Sequence, residues 1–205
     1  MAVCAVAAAQ ELRTIATEAI ALSTPAGATH DLRISVHVFS GSRWATPEVR
    51  TALTASANLL AQCGLASTAE LHELEAPRRF HFYATRISRE LLRGLPSARP
   101  AVFFVEDNLN RPSFDAEAIG RANAGGRPEL TDTVWIAHGT TDLAIALAHE
   151  LVHVLSDSGE HSDAPGNLMR PETAPDNVAL DEAQCSRLRT RGTANGHLKP
   201  RVLKP

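Results

Sequence analysis

The stretch TTDLAIALAHELVHVLSDSG, residues 140–159, decides how this chain is read. Thr140 or Thr141 can cap a helix, Asp142 complements the positive end of its dipole, and Gly159 can end it. Between those limits the run is apolar on nearly every side, which predicts a helix buried in a core. Yet it carries His149, Glu150 and His153. Burying three ionisable groups without partners costs several kcal/mol, so something must bind them.

HELVH at 149–153 fits the pattern H-E-x-x-H. At about 100° per residue, positions four apart differ by about 40° around a helix, so both imidazoles point the same way and can grip one zinc ion. Glu150, one residue round, stands beside the metal, where it can accept a proton from a water whose pKa the metal lowers to about 7 and deliver it to a leaving amine. Chance matches to this pattern fall mostly on polar helices, whereas this one falls on a run that needs a metal to neutralise its burial cost. Two histidines leave the site incomplete, because a catalytic zinc usually has three protein ligands and one open position. His161 lies just past Gly159, where the chain can turn back; Glu172 lies 19 residues after His153, a spacing used by zinc peptidases with a glutamate ligand. Glu172 sits in RPETAP between two prolines, where a helix cannot easily form to aim it, and that favours His161.

Working outward, LRISVHVF (32–39) alternates Leu32, Ile34, Val36 and Val38 with polar residues, the period of a half-buried strand. Thr46-Pro47-Glu48 starts a helix that runs at helical period to Gly64. AELHELEAP (69–77) reads as a strand, ATRISRELLRGLP (84–96) as a helix, and PAVFFVEDN (100–108) and TDTVWIAHG (131–139) as strands, with FDAEAIGRANAGGRPEL (114–130) a loop between them. A last helix is expected over 177–190. This order favours an α/β layer with a twisted, mostly parallel sheet.

The 205 residues, 44% hydrophobic and 21% charged, suit one ordinary domain with a real core. A net charge of −3 without a long single-sign run builds no basic stripe, which argues against nucleic-acid binding, and no window reaches the roughly 18 apolar residues of a membrane span. Cys4, Cys63 and Cys185 are too few for a disulfide scaffold and match no metal or redox spacing. MAVCAVAAAQ (1–10) reads either as the tail of a secretory signal or as the start of a helix running into ELRTIATEAIAL. HLKPRVLKP (197–205) reads as a frayed terminus. His138, at a strand end, reads as structural, and His30, His37, His72, His81 and His197 take no role.

HELVHVLSDSGEH followed by NLMRP resembles the metzincin superfamily of zinc metallopeptidases. The resemblance implies His149, His153 and His161 as ligands of one catalytic Zn2+, Glu150 as general base, and Met169 in a Met-turn beneath the metal. It implies an α/β (α+β) metzincin-like fold: a mixed, mostly parallel sheet with a backing helix and an active-site helix, then a small C-terminal subdomain with one helix. The domain would span 31–190, divided at 159/160, after an N-terminal extension 1–30 (residual signal or pro-segment) and before a flexible tail 191–205. The activity implied is metalloendopeptidase cleavage of a protein or peptide substrate, with PAVFFVEDN or TDTVWIAHG as the edge strand that binds it. The alternatives are a gluzincin-type peptidase using Glu172, or a non-catalytic zinc-stabilised binding domain. The sequence departs from the family in having Ser156 where a glycine is usual, a third histidine eight rather than six residues after the second, and Pro171 where some members carry a tyrosine. In a metzincin-like layout the helices bearing Cys63 and Cys185 both lie behind the active-site helix, so those two cysteines either pair or remain buried thiols. A bridge would accord with a secreted or periplasmic protein, and a monomer is the expectation.

Overall fold

In the computed structural model, which describes residues 11–109, 118–121 (backbone) and 127–201, the alternation over 32–39 is realised as one strand of a large sheet. In chain order the elements are β1 (Arg13–Ser23), β2 (His30–Phe39), α1 (Thr46–Leu60), β3 (Leu65–Glu75), β4 (Phe82–Tyr83), α2 (Thr85–Gly94), β5 (Ala101–Val105), β6 (Asp107–Asn108), β7 (Ala118–Arg121), β8 (Thr133–Ala137), α3 (Leu143–Ser156), α4 (Glu182–Ala194) and β9 (Leu198–Pro200). The sheet order is β1-β3-β2-β5-β8-β7, with β9 paired to β2. The inner strands β3, β2, β5 and β8 run parallel, while β1, β7 and β9 are antiparallel to their neighbours. The twisted, mixed, mostly parallel sheet is thus the one anticipated.

Period two divides the side chains between two cores. Leu32, Ile34, Val36 and Val38 of β2, Val102 and Phe104 of β5, and Val134 and Ile136 of β8 join Leu53 and Leu60 of α1 and Leu147, Leu151 and Leu155 of α3 in the larger cluster. On the opposite face Phe39, Phe103 and Trp135 pack with Leu91 and Leu92 of α2. The parallel strands β5 and β8 are buried at every residue, so they read as continuous apolar runs. Cys63, in a short helical turn after α1, and Cys185, on α4, are joined by a disulfide that ties the backing helix to the last one.

Four expectations are corrected. ELRTIATEAIAL is not helical: 13–23 forms β1 along β3, because cross-strand pairing outweighs the helix propensity of Ala, Glu and Leu. Neither PAVFFVEDN nor TDTVWIAHG supplies an edge, since β5 lies between β2 and β8, and β8 lies between β5 and β7. The outermost strand on that side among the described residues is β7, within the stretch expected to be a loop. Beyond residue 190, α4 continues to Ala194 and β9 pairs Leu198, Lys199 and Pro200 with Leu32, Asp31 and His30, so order extends at least to Arg201. The signal-like residues 1–10, including Cys4, lie outside the described residues.

His37 is 2% exposed on β2, its ring stacked on His72 and Phe103 at 5.0 and 4.5 Å, with Ser97 Oγ 2.7 Å and Ser35 Oγ 3.1 Å from Nε2. Burial, and then the neighbouring His72 and Arg99, hold its pKa down at about 3 against an ordinary 6.5. Unfolded, His37 takes up a proton near 6.5; folded, it stays neutral until about 3, so the unfolded state binds more protons across that window. Stability is therefore fully present above the upper value and falls as pH drops. Urea unfolding is expected to give a free energy roughly 2–3 kcal/mol smaller at about pH 4.5 than at about pH 7.5 from this group, with a shallower dependence in His37→Phe. An unchanged pH dependence in that variant would assign the effect elsewhere.

Candidate metal centre

Helix α3 is built from Leu, Ala, Ile and Val with Leu147, Ala148, Leu151, Val154 and Leu155 fully buried, as its all-round apolar pattern requires. It packs against α1, α4, β7 and β8. Its N-cap is Asp142 in the left-handed region (φ 47°), without a side-chain capping bond; the Asp142 carbonyl receives the N–H groups of Ile145 and Ala146. At the other end the helix stops at Ser156, and Asp157 rather than Gly159 takes the left-handed conformation, with φ 48°. The N–H groups of Asp157 and Ser158 close back onto Val154 and His153 carbonyls. Aspartate tolerates this region better than most residues. The turn thus starts one residue after Ser156 and uses Ser158–Glu160 to bring His161 round, which accounts for the longer spacing.

The three imidazoles converge. Their nearest donor atoms all lie within 4.8 Å of one another, and among the described residues no other group of three or more His, Cys, Asp or Glu side chains is so placed. His149 and His153 rings meet edge to face at 4.6 Å, and His161 faces both, at 5.3 and 4.9 Å. His149 is buried, His153 half-buried and His161 exposed. His149 Nδ1 donates to the Leu168 carbonyl at 2.8 Å, and His153 Nδ1 donates to the Ser158 carbonyl at 2.7 Å. A carbonyl can only accept, so each Nδ1 carries the hydrogen and each Nε2 presents a lone pair.

The two Nε2 atoms stand 3.0 Å apart. A hydrogen bond between them would need one ring doubly protonated. Burial is the main cause that lowers both pKa values, that of His153 to about 4, helped by the neighbouring histidines and opposed by the two carbonyls. Near neutral pH the short contact is therefore an apposition of two lone pairs, which repel unless a cation lies between them. Tetrahedral zinc at about 2.0–2.1 Å from each nitrogen sets nitrogens about 3.3 Å apart, close to what these two rings offer. The exposed His161 ring can supply the remaining approach by side-chain rotation. The donor set, three imidazoles of which His149 and His153 have their tautomers fixed by backbone carbonyls, suits zinc.

The segment that returns past the histidines is held by backbone as much as by side chains. Met169, 3% exposed, belongs to the large core, and its carbonyl accepts the Ser162 N–H at 2.8 Å, tying the segment after His161 to this turn. A cavity of about 260 Å³ opens beside it, lined by Val152, His161, Met169 and Gln184 and by the ion pair Glu160–Arg187. A larger cavity, about 490 Å³, lies elsewhere among Asp31, Arg33, Arg99 and Arg201; none of the three histidines lines it, so size does not locate the chemistry.

Glu150 is half-buried on α3 at the position following His149. Glu172 is exposed and outside the converging group, with its backbone carbonyl accepting from Asn177 Nδ2. His138 stands edge-on to Trp44 at the end of β8, consistent with a structural place. Sequence reasoning missed the two carbonyls of Leu168 and Ser158, which no residue type announces, and Asn167, whose Oδ1 accepts the Met169 N–H in a local turn; an Asn two residues before Met in a Pro/Gly-rich stretch was the one available signal.

The sequence matches no family model and no curated protein. The fold is similar to that of an archaemetzincin from Methanopyrus kandleri, with 14% identity over 82% of this chain and 98% of that one and a TM-score of 0.55. It is also similar to metalloproteinase-II from Bacteroides fragilis, with 16% identity over 82% of this chain and a TM-score of 0.57; the match spans 55% of that protein. At these identities the likeness is one of fold.

Because Asp157 occupies a left-handed position at the helix end, Asp157→Gly should leave stability unchanged or raise it by up to about 1 kcal/mol, whereas Asp157→Val should lower it by about 1–2 kcal/mol. Equal loss in both, measured by urea unfolding, would mean that the aspartate side chain rather than the backbone conformation sets this turn.

Proposed function

We propose that this chain is a zinc-dependent peptide-bond hydrolase in which His149, His153 and His161 hold one zinc ion and Glu150 moves the proton. The observation that carries the reading is the convergence of the three imidazoles, with Nε2 of His149 and His153 3.0 Å apart on a helix that places a carboxylate at the position after His149. The printed names of the two similar folds, an archaemetzincin and a metalloproteinase, support it. When bound, zinc supplies the positive charge that polarises a substrate carbonyl and brings the pKa of a water down to about 7.

The chain's own residues do the rest. The Leu168 and Ser158 carbonyls keep His149 and His153 in the tautomer that exposes Nε2. Glu150 takes a proton at its carboxylate from the attacking water and gives it to the departing amine nitrogen. β7, the outermost strand on its side of the sheet among the described residues and in contact with α3, offers an edge on which an extended peptide can add as a further strand. Pro171, two residues after Met169, provides no phenol to assist. The exposure of Glu172 and its place outside the histidine group support His161 as third ligand over the glutamate alternative. We infer an oxidising, extracytoplasmic setting, which the Cys63–Cys185 bridge supports.

Two measurements test the reading. Glu150→Gln should retain about one zinc per chain yet lose at least about 100-fold in casein or peptide hydrolysis, the lower end of what a positioned general base contributes. Undiminished hydrolysis would remove Glu150 from the reaction, and zinc without turnover in the parent chain would leave a binding domain. In competition titrations His161→Ala should weaken zinc by more than the roughly 10–100-fold of an indirect change, while Glu172→Ala should leave it unaltered. The reverse order would move the third ligand to Glu172.

A further inference from the structure

The turn that carries Met169 is gripped from outside by one pair of amides. Asn167, 5% exposed, donates from Nδ2 to Gln184 Oε1 at 3.0 Å, and Gln184 donates from Nε2 back to Asn167 Oδ1 at 3.1 Å. Neither amide is free to swing. Asn167 Oδ1 also accepts the Met169 N–H at 2.9 Å, and Gln184 Oε1 also accepts the Asp181 N–H at 2.9 Å, while Asp181 Oδ1 accepts the Gln184 N–H at 2.8 Å to cap α4. Gln184 is followed by Cys185, whose disulfide to Cys63 anchors α4 to the turn after α1.

What this grip fixes is the backbone to which the histidines answer. Between Asn167 and Met169 lies Leu168, whose N–H is tied to the Ala179 carbonyl at 2.7 Å and whose carbonyl receives His149 Nδ1–H. The Met169 carbonyl receives the N–H of Ser162, the residue after His161. A shift of the turn would therefore rotate the His149 ring and release the segment that delivers His161.

We propose that Asn167 and Gln184 are positioning residues for the metal centre, acting through the Leu168 and Met169 carbonyls on His149 and His161. This rests on the reading of the three histidines as zinc ligands. The hydrogen bonds of the pair run to each other and to backbone, not to the histidine rings, and its role is to hold two carbonyls where the ligand geometry needs them. Groups that orient ligands in this way typically alter metal affinity by 10–100-fold when removed.

The test is a zinc-competition titration of the full chain alongside urea unfolding of its metal-free form. Asn167→Ala and Gln184→Ala should each weaken zinc by about 10–100-fold and shift the visible absorption bands of the cobalt-loaded protein. Gln184→Glu, which can still accept from Asn167 Nδ2 and from the Asp181 N–H, should fall between Gln184→Ala and the parent. Arg189→Ala is the control: it removes a bond from the same helix, to the Cys63 carbonyl at 3.1 Å, and should cost stability while leaving zinc affinity within about twofold. If Asn167→Ala fails to fold, the two Gln184 variants and the control still decide. Zinc binding by the parent with unaltered affinity and cobalt bands in the amide variants, or equal weakening in Arg189→Ala, overturns the positioning role alone. A parent chain that binds no zinc overturns the metal reading beneath it.

Discussion

Two backbone carbonyls, those of Leu168 and Ser158, set which nitrogen of His149 and of His153 is left to face a metal ion. By accepting Nδ1–H from His149 and His153 they leave two lone pairs facing each other at 3.0 Å in a largely buried setting, and burial removes the option of relieving that contact with a proton near neutral pH. A protein interior does not hold such an arrangement without a counterpart. The counterpart that fits three converging imidazoles is a divalent transition-metal ion, and zinc suits the donor set. The proposed reaction follows from the vicinity of Glu150, not from the fold, since similar folds carry many chemistries.

The rest of the architecture serves to hold those carbonyls still. Leu168 stands 19 residues beyond His149, so its place depends on tertiary structure: the Ala179 carbonyl, the Asn167–Gln184 amide pair, and an α4 fixed to α1 through Cys63–Cys185. Ser158 is local, and its place depends on the left-handed Asp157 that stops α3. One ligand is thus oriented by long-range contacts and the other by a helix terminus. His161, the third, is exposed and reached through the longer turn, so it is the ring with the greatest freedom to adjust.

Much of this was legible in the chain and some was not. The buried helix and its two histidines could be read because burial cost and helical spacing act through residue type. In the sequence, His161 is favoured over Glu172 only by its place after a glycine, by the prolines around Glu172 and by resemblance. The parallel core strands could be read because burial on both faces demands unbroken apolar runs. β1 could not, since its Ala, Glu and Leu content favours a helix and only the pairing with β3 overrides it. β7 was hidden within a Gly-rich stretch that owes its extended form to β8, and β9 within a Lys/Pro tail that owes its own to β2. Gly159 looked like the helix stop because glycine usually fills that position, but an aspartate at φ 48° fills it here. For the three strands the deciding partner was a backbone group distant in sequence, which composition does not encode.

The claim on which everything else rests is that these three imidazoles share one metal ion. Crystallising the zinc-loaded protein and mapping anomalous scattering at the zinc edge tests it without reference to activity. A single strong peak is expected about 2.0–2.1 Å from Nε2 of His149, Nε2 of His153 and a ring nitrogen of His161. A peak elsewhere, or one bound by Glu172 in place of His161, would contradict it.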